Sequence, residues 1–139
     1  MKTQLLLFIS LLFVSYSCKQ KGKSEQGPTQ MEQVMAIHDE IMPKMGKLGK
    51  LVGQVKSKVD TTATGLQYGS AMKDLQDANS AMMDWMINFG SRFDSEEVLH
   101  GKELTEQKQI WLDEEEVKVK ALQEQVNSSI AKAETLLAQ

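Results

Sequence analysis

"MEQVMAIHDEIMPKMGKLGK", residues 31–50, sets the reading of the whole chain, with four methionines, a histidine and an internal proline in twenty positions. Met31, Val34, His38, Ile41, Met45, Leu48, Val52, Val55 and Val59 recur in steps of three and four. That is the period that lines one face of an α-helix, and Lys, Gln and Glu fall mostly on the others. Pro43 stands inside this pattern. It lacks the N–H that would bond the carbonyl of Asp39, and its ring crowds that carbonyl. A kink is therefore expected near Pro43, or a break that leaves one helix over 31–41 and another over 44–59.

Beyond this first helix, residues 60–65 (DTTATG) interrupt the periodicity with turn-formers. A second pattern follows through Tyr68, Met72, Leu75, Asn79, Met82, Met86, Phe89 and Phe93. Residues 94–101 (DSEEVLHG) read as a short helical turn or loop, with Ser95 as a cap and Glu96 and Glu97 in the first turn. The third long pattern covers residues 104–137, with Leu112, Val119, Leu122, Val126, Ile130, Ala133 and Leu137 as its apolar stripe. Glu114 to Lys118 and Glu116 to Lys120 are helix-supporting i,i+4 pairs. No strand alternation competes. The expected fold is all-α, an antiparallel three-helix bundle about 45 Å long. The rival architecture is a helical hairpin that completes its core with a helix from another chain.

Toward the N-terminus the composition changes. Lys2 precedes an apolar run at residues 5–14 (LLLFISLLFV), and Ser15-Tyr16-Ser17 leads to Cys18, the one cysteine of the chain. Residues 1–17 read as a secretory signal peptide, because ten apolar residues span only about 15 Å as a helix against roughly 30 Å of hydrocarbon. The segment resembles the leader of bacterial lipoproteins. Ser17 fits their lipid-attachment box, whereas Tyr16 and Ser15 depart from its strict form, the Bacteroidetes type of box being looser. Cys18 is then the lipid-bearing residue, and residues 18–30, with Gly22, Gly27 and Pro28 and no apolar residue after the cysteine, are a flexible tether. Residues 31–139 form the bundle domain. Loss of the leader leaves fifteen of the sixteen basic residues against nineteen acidic ones. With no basic stripe and no aromatic platform, nucleic acid is not an expected partner. The basic residues after Cys18 lack the acidic surface-export signal of some lipoproteins that this leader resembles, which favours a periplasm-facing location.

Three features have candidate chemistry. Met35, His38, Met42 and Met45 fall within an arc of roughly 80° on a helical wheel. Thioether and imidazole donors suit Cu(I), and a site would combine Met35, His38 and Met42 with Met82 or Met86 of the second helix, shielded by Trp85. The competing assignment is a methionine-rich core face, for which no cofactor is needed. Gly46, Gly49 and Gly53 form a strip that either opens a groove for a partner protein or receives a bulky neighbour such as Trp85 or Trp111. The run Asp113-Glu114-Glu115-Glu116 reads as a solvated face, and His100 as exposed. No nucleophile motif, phosphate loop, zinc spacing or dinucleotide fingerprint occurs, so enzymatic activity is not expected.

"MAIHDEIMPKMGKL" (35–48), "AMMDWMINF" (81–89) and "WLDEEEVKVKALQEQVNSSIAKAETLL" (111–137) together resemble a family of small Bacteroidetes lipoproteins often labelled "viral A-type inclusion protein". The resemblance spans residues 31–137. It implies a helical, lipid-anchored envelope protein with no catalytic residues to carry over, and the viral label carries no biology here. The sequence therefore points to a non-enzymatic cell-envelope lipoprotein that binds a protein partner, with copper handling as the alternative.

Overall fold

The computed structural model describes residues 27–139; the leader at 1–17, Cys18 and the tether through residue 26 lie outside the described residues. Four helices account for 84% of what is described, and no strand occurs there. They are α1 (Gln30–Lys56), α2 (Ala63–Arg92), the short α3 (Ser95–His100) and α4 (Glu106–Leu137).

Each helix begins where a side chain satisfies the orphan amides of the first turn. Thr29 accepts from the Glu32 N–H at 3.2 Å while the Glu32 carboxylate accepts from the Thr29 N–H at 2.7 Å, a reciprocal capping box. Thr62 caps α2, accepting from the Gly65 N–H at 3.0 Å. Helix α2 thus starts at Ala63, and the interruption expected at 60–65 occupies 57–62 instead. Gly65 is needed there. A Cβ on it would lie 1.8 Å from the Asp60 carboxylate and 2.6 Å from the Asp60 backbone nitrogen. Asp94, not Ser95, caps α3, in a second capping box with Glu97. Gly101 ends that helix with φ of 67°, and the Lys102 N–H reaches back to the Glu96 carbonyl at 3.1 Å.

Pro43 does not break the first helix. α1 runs continuously through it for 27 residues, with the proline on the exposed side. The break into 31–41 and 44–59 is thereby excluded. Val59, expected on the apolar seam, lies beyond the helix end and is exposed.

The three long helices pack against one another in every pairing. Polar pairs between α1 and α4 ascend together: Gln30 with Asp113 and Glu116, Glu40 with Gln123, Lys44 with Asn127, Lys47 with Glu134. Those between α2 and α4 run in opposite order, with Arg92 on Glu114 and Glu115, Asp74 on Lys132, and the Tyr68 hydroxyl donating to the Leu136 carbonyl at 2.9 Å. Val34, Ile41, Leu48 and Val55 of α1 meet Leu75, Met82 and Trp85 of α2 and Leu112, Val119, Leu122 and Val126 of α4 in the core. Removing one such aliphatic side chain from water contributes roughly 1.5–3 kcal/mol.

On the α2 pattern Tyr68, Leu75, Met82, Phe89 and Phe93 are buried as expected, and the alternate positions shift by one residue. Asn79 and Met86 are exposed, while Ala71, Ala78 and Trp85 are buried. Size misled the pattern at these positions: Ala71 and Ala78 sit inside, where a short side chain lets neighbouring helices approach, and Met86 lies outside while Met82 stays in the core. Helix α4 matches its predicted stripe closely, with Leu137 half-buried at its end and Glu115 and Ser129 added to the buried set.

Candidate functional site

The methionine–histidine face divides among three environments. Met82 is fully buried in the core, Met35 is half-buried against it, and Met42 and Met86 reach the surface at 38% and 37% exposure. His38 is mostly covered; its Nδ1 lies 3.0 Å from Asp39 Oδ1 and its ring stacks on Trp85 at 5.6 Å between centroids. The stack continues from Trp85 to Phe89 and on to Phe93, at 4.9 Å each. Trp85 therefore lies beside His38 as expected, although as a packing partner in an aromatic ladder. Among the described residues no cluster of three or more His, Cys, Asp or Glu side chains gathers into a metal-binding group.

The glycine strip is open. Gly46, Gly49 and Gly53 are exposed, and a Cβ added at any of them meets nothing within 4 Å. The alternative of a filling tryptophan is corrected by the positions of both rings: Trp85 is buried in the core, and Trp111 lies under the Arg92 guanidinium at 5.4 Å. Beside the strip, Leu48, Gly49 and Val52 of α1 and Gln76, Asn79 and Ser80 of α2 line a surface hollow of about 480 Å³. Met42, Gly46, Gly49 and Gly53 share one helical face by their spacing of four, three and four; Gln76, Asn79, Met83 and Met86 share another by three, four and three. Of the strip, Gly49 lines this hollow, and Met42, Met83 and Met86 are exposed elsewhere on α1 and α2.

The acidic run is not a uniform solvated face. Asp113 and Glu114 are exposed and Glu116 is half-buried, but Glu115 is fully buried. Its Oε1 accepts from Arg92 Nη1 and Lys118 Nζ, both at 2.9 Å. Sequence reading missed this residue, although a signal was present: Glu115 stands three after Leu112 and four before Val119, on the apolar stripe itself. A second buried carboxylate, Glu97, accepts from Lys108 Nζ at 2.7 and 2.6 Å and ties α3 to α4. Lys108 holds the Glu97 carboxyl below the usual carboxylate range, with the Asp94 backbone N–H adding to the effect. His100 is exposed, as expected.

No protein-family model, characterised protein or solved structure matches this chain. No helix of the described residues is long and apolar enough to cross a membrane.

Proposed function

We propose that this protein is a non-enzymatic cell-envelope lipoprotein, lipid-anchored at Cys18 and facing the periplasm. Its antiparallel three-helix bundle offers the groove between α1 and α2 to a helix of an envelope partner. The ascending order of the α1–α4 pairs and the reversed order of the α2–α4 pairs support that architecture. The likeness to small Bacteroidetes lipoproteins supports the anchor and the compartment. The observation that carries the interaction reading is the uncovered glycine strip. Glycine in a helix interior costs up to about 1 kcal/mol relative to alanine, and here the space above three of them is filled by nothing in the fold. Exposed methionines on α1 and α2, Met42, Met83 and Met86, suit a docking surface, because flexible thioether chains adapt to a partner.

A photo-crosslinking residue at Gly49, introduced in cells, should yield one discrete adduct that Gly53→Leu abolishes. The same crosslinker at Lys120 on α4 should give none. Equal adducts from both positions, or none from either, would remove the groove from consideration. Labelled palmitate should enter the wild-type protein and not Cys18→Ala; label in both refutes the anchor. The copper alternative rests on Met35, His38 and Met42, and the stacking of His38 on Trp85 gives it a fluorescent reporter. Cu(I) competition against a chromogenic chelator that is unchanged in His38→Ala/Met42→Ala rules it out.

A further inference from the structure

The charges of α1 are segregated along its length. Residues 30–40 carry Glu32, Asp39 and Glu40 and no lysine or arginine; residues 41–59 carry Lys44, Lys47, Lys50, Lys56 and Lys58 and no acid. Across the junction runs one bare face of the helix. Ala36, Asp39, Pro43, Gly46, Lys50 and Gly53 follow one another in steps of three and four, and all six are exposed. We infer that this face binds the same face of a second copy of the chain, with the two α1 helices antiparallel. The inference rests on the reading of the glycine strip as a docking face, and it names the occupant.

Charge selects both the occupant and its direction. Contact between identical faces requires one surface to complement itself about a two-fold axis. With that axis at the midpoint between Lys44 and Met45, Asp39 stands opposite Lys50 of the second copy, and Lys50 opposite its Asp39. On the border toward α4, Glu40 falls opposite Lys47 of the second copy, beside the pairs that each already makes within its own chain, with Lys44 and Glu134. Lys50 has no ion pair among the described residues of its own chain, and Asp39 holds only the neighbouring His38 at 3.0 Å. A parallel arrangement would set Asp39 on Asp39 and Lys50 on Lys50. An unrelated protein would have to supply both charges in this register, whereas a second copy carries them already.

The same axis matches small residues to side chains. Pro43 falls opposite Gly46 of the second copy and Ala36 opposite Gly53; on the border toward α2, the exposed Met42 falls opposite Gly49. Each glycine, where an added Cβ meets nothing within 4 Å, thus receives a side chain from the other copy. Exposed ion pairs are individually weak. The charges therefore set register and direction, and packing over the glycines supplies the contact.

Full-length protein is produced in cells in two differently tagged forms, each with a photo-crosslinking residue at Gln54. That position is exposed at the border of the seam, and the pairing sets it opposite Gln33 of the second copy. Irradiation should give an adduct that carries both tags and is linked near Gln33. Asp39→Lys alone and Lys50→Asp alone should each lower its yield about tenfold, because like charges then meet at both ends of the seam. Expressing these two variants together under separate tags should restore the adduct between them, since one copy then presents two positive charges to two negative ones. That recovery also shows that both variants are folded. The inference is overturned if no adduct carries both tags, if the link maps near Gln54 itself, if both reversals leave the yield unchanged, or if the mixture fails to recover it. An adduct of a different protein at Gly49, with no two-tag adduct at Gln54, overturns the second copy and leaves the docking face standing; no adduct at either position removes both.

Discussion

At the scale of single residues, Glu115 departs furthest from what its neighbours in sequence suggest. It lies in a run of four acids yet is wholly removed from solvent, held by Arg92 from α2 and by Lys118 one turn along α4. A buried ion pair is weak evidence for stability, because desolvation offsets most of the attraction; breaking one side of it is costly, because the other charge remains. Glu115→Ala should therefore lower unfolding free energy by roughly 3 kcal/mol. Glu115→Met, which fills the volume and removes the unpartnered Oε2, should lose markedly less. Urea denaturation of the two variants checks this; equal losses would mean that the ion pair contributes nothing beyond its volume. Trp85 shows the same principle in a neutral form. Its ring is packed between His38 and Phe89, and its one polar atom is left without a protein partner.

At the scale of helices, the useful contrasts lie between residues of one type in different surroundings. Gly49 meets nothing where a methyl would be added, so Gly49→Ala should stabilise α1 by about 0.5–1 kcal/mol through helix propensity alone. Gly65 would place that methyl on the Asp60 side chain and backbone, so Gly65→Ala should destabilise. Thermal melts of the pair should move in opposite directions, and a fall in both would contradict an open strip. Pro43 sits within an unbroken helix on its exposed face. Pro43→Ala should raise stability by up to about 3 kcal/mol, since alanine restores the missing N–H and removes the clash. An unchanged melting temperature would mean that the surrounding helices already bear this cost.

Over the whole molecule, four carboxylates, in the connections, at caps and between helices, contribute to the response to acid. The Thr62 hydroxyl and then its backbone N–H hold Asp60 below the ordinary aspartate range. Lys102, with the Glu97 N–H, does so for Asp94; Lys108, with the Asp94 N–H, for Glu97; Lys120, with the Gln30 amide, for Glu116. A carboxyl whose folded value lies below its unfolded one binds fewer protons in the native state. Its contribution is present above the unfolded value near pH 4 and lost as pH falls through the folded one. Urea midpoints should therefore hold between pH 7 and 5 and decline as pH falls below about 4. The double variant Asp94→Asn/Glu97→Gln should flatten that drop, and an identical profile would show that these pairs contribute nothing to acid sensitivity.

The division between what sequence alone determined and what tertiary structure decided follows the range of the forces involved. Helix existence, approximate ends and most of the α1 and α4 core stripes are local properties. Periodicity reports them, as do a threonine three residues before a glutamate at the start of α1 and a glycine that must take positive φ after α3. Pro43 marks where local information runs out: its intrinsic cost argued for interruption, and packing on both sides kept one helix. The alternate positions of the α2 stripe were not legible either, because whether Ala78 or Asn79, and Trp85 or Met86, faces inward depends on how closely α1 and α4 approach. The same holds at the candidate sites. The glycine strip could be named from sequence, but only the distance to neighbouring helices determined that it is empty. Glu115 and Trp85 come to line one hollow only when α2 and α4 are set side by side, since thirty positions separate them along the chain. Sequence fixes which atoms are able to bond; the packed helices decide which of them are left without a partner.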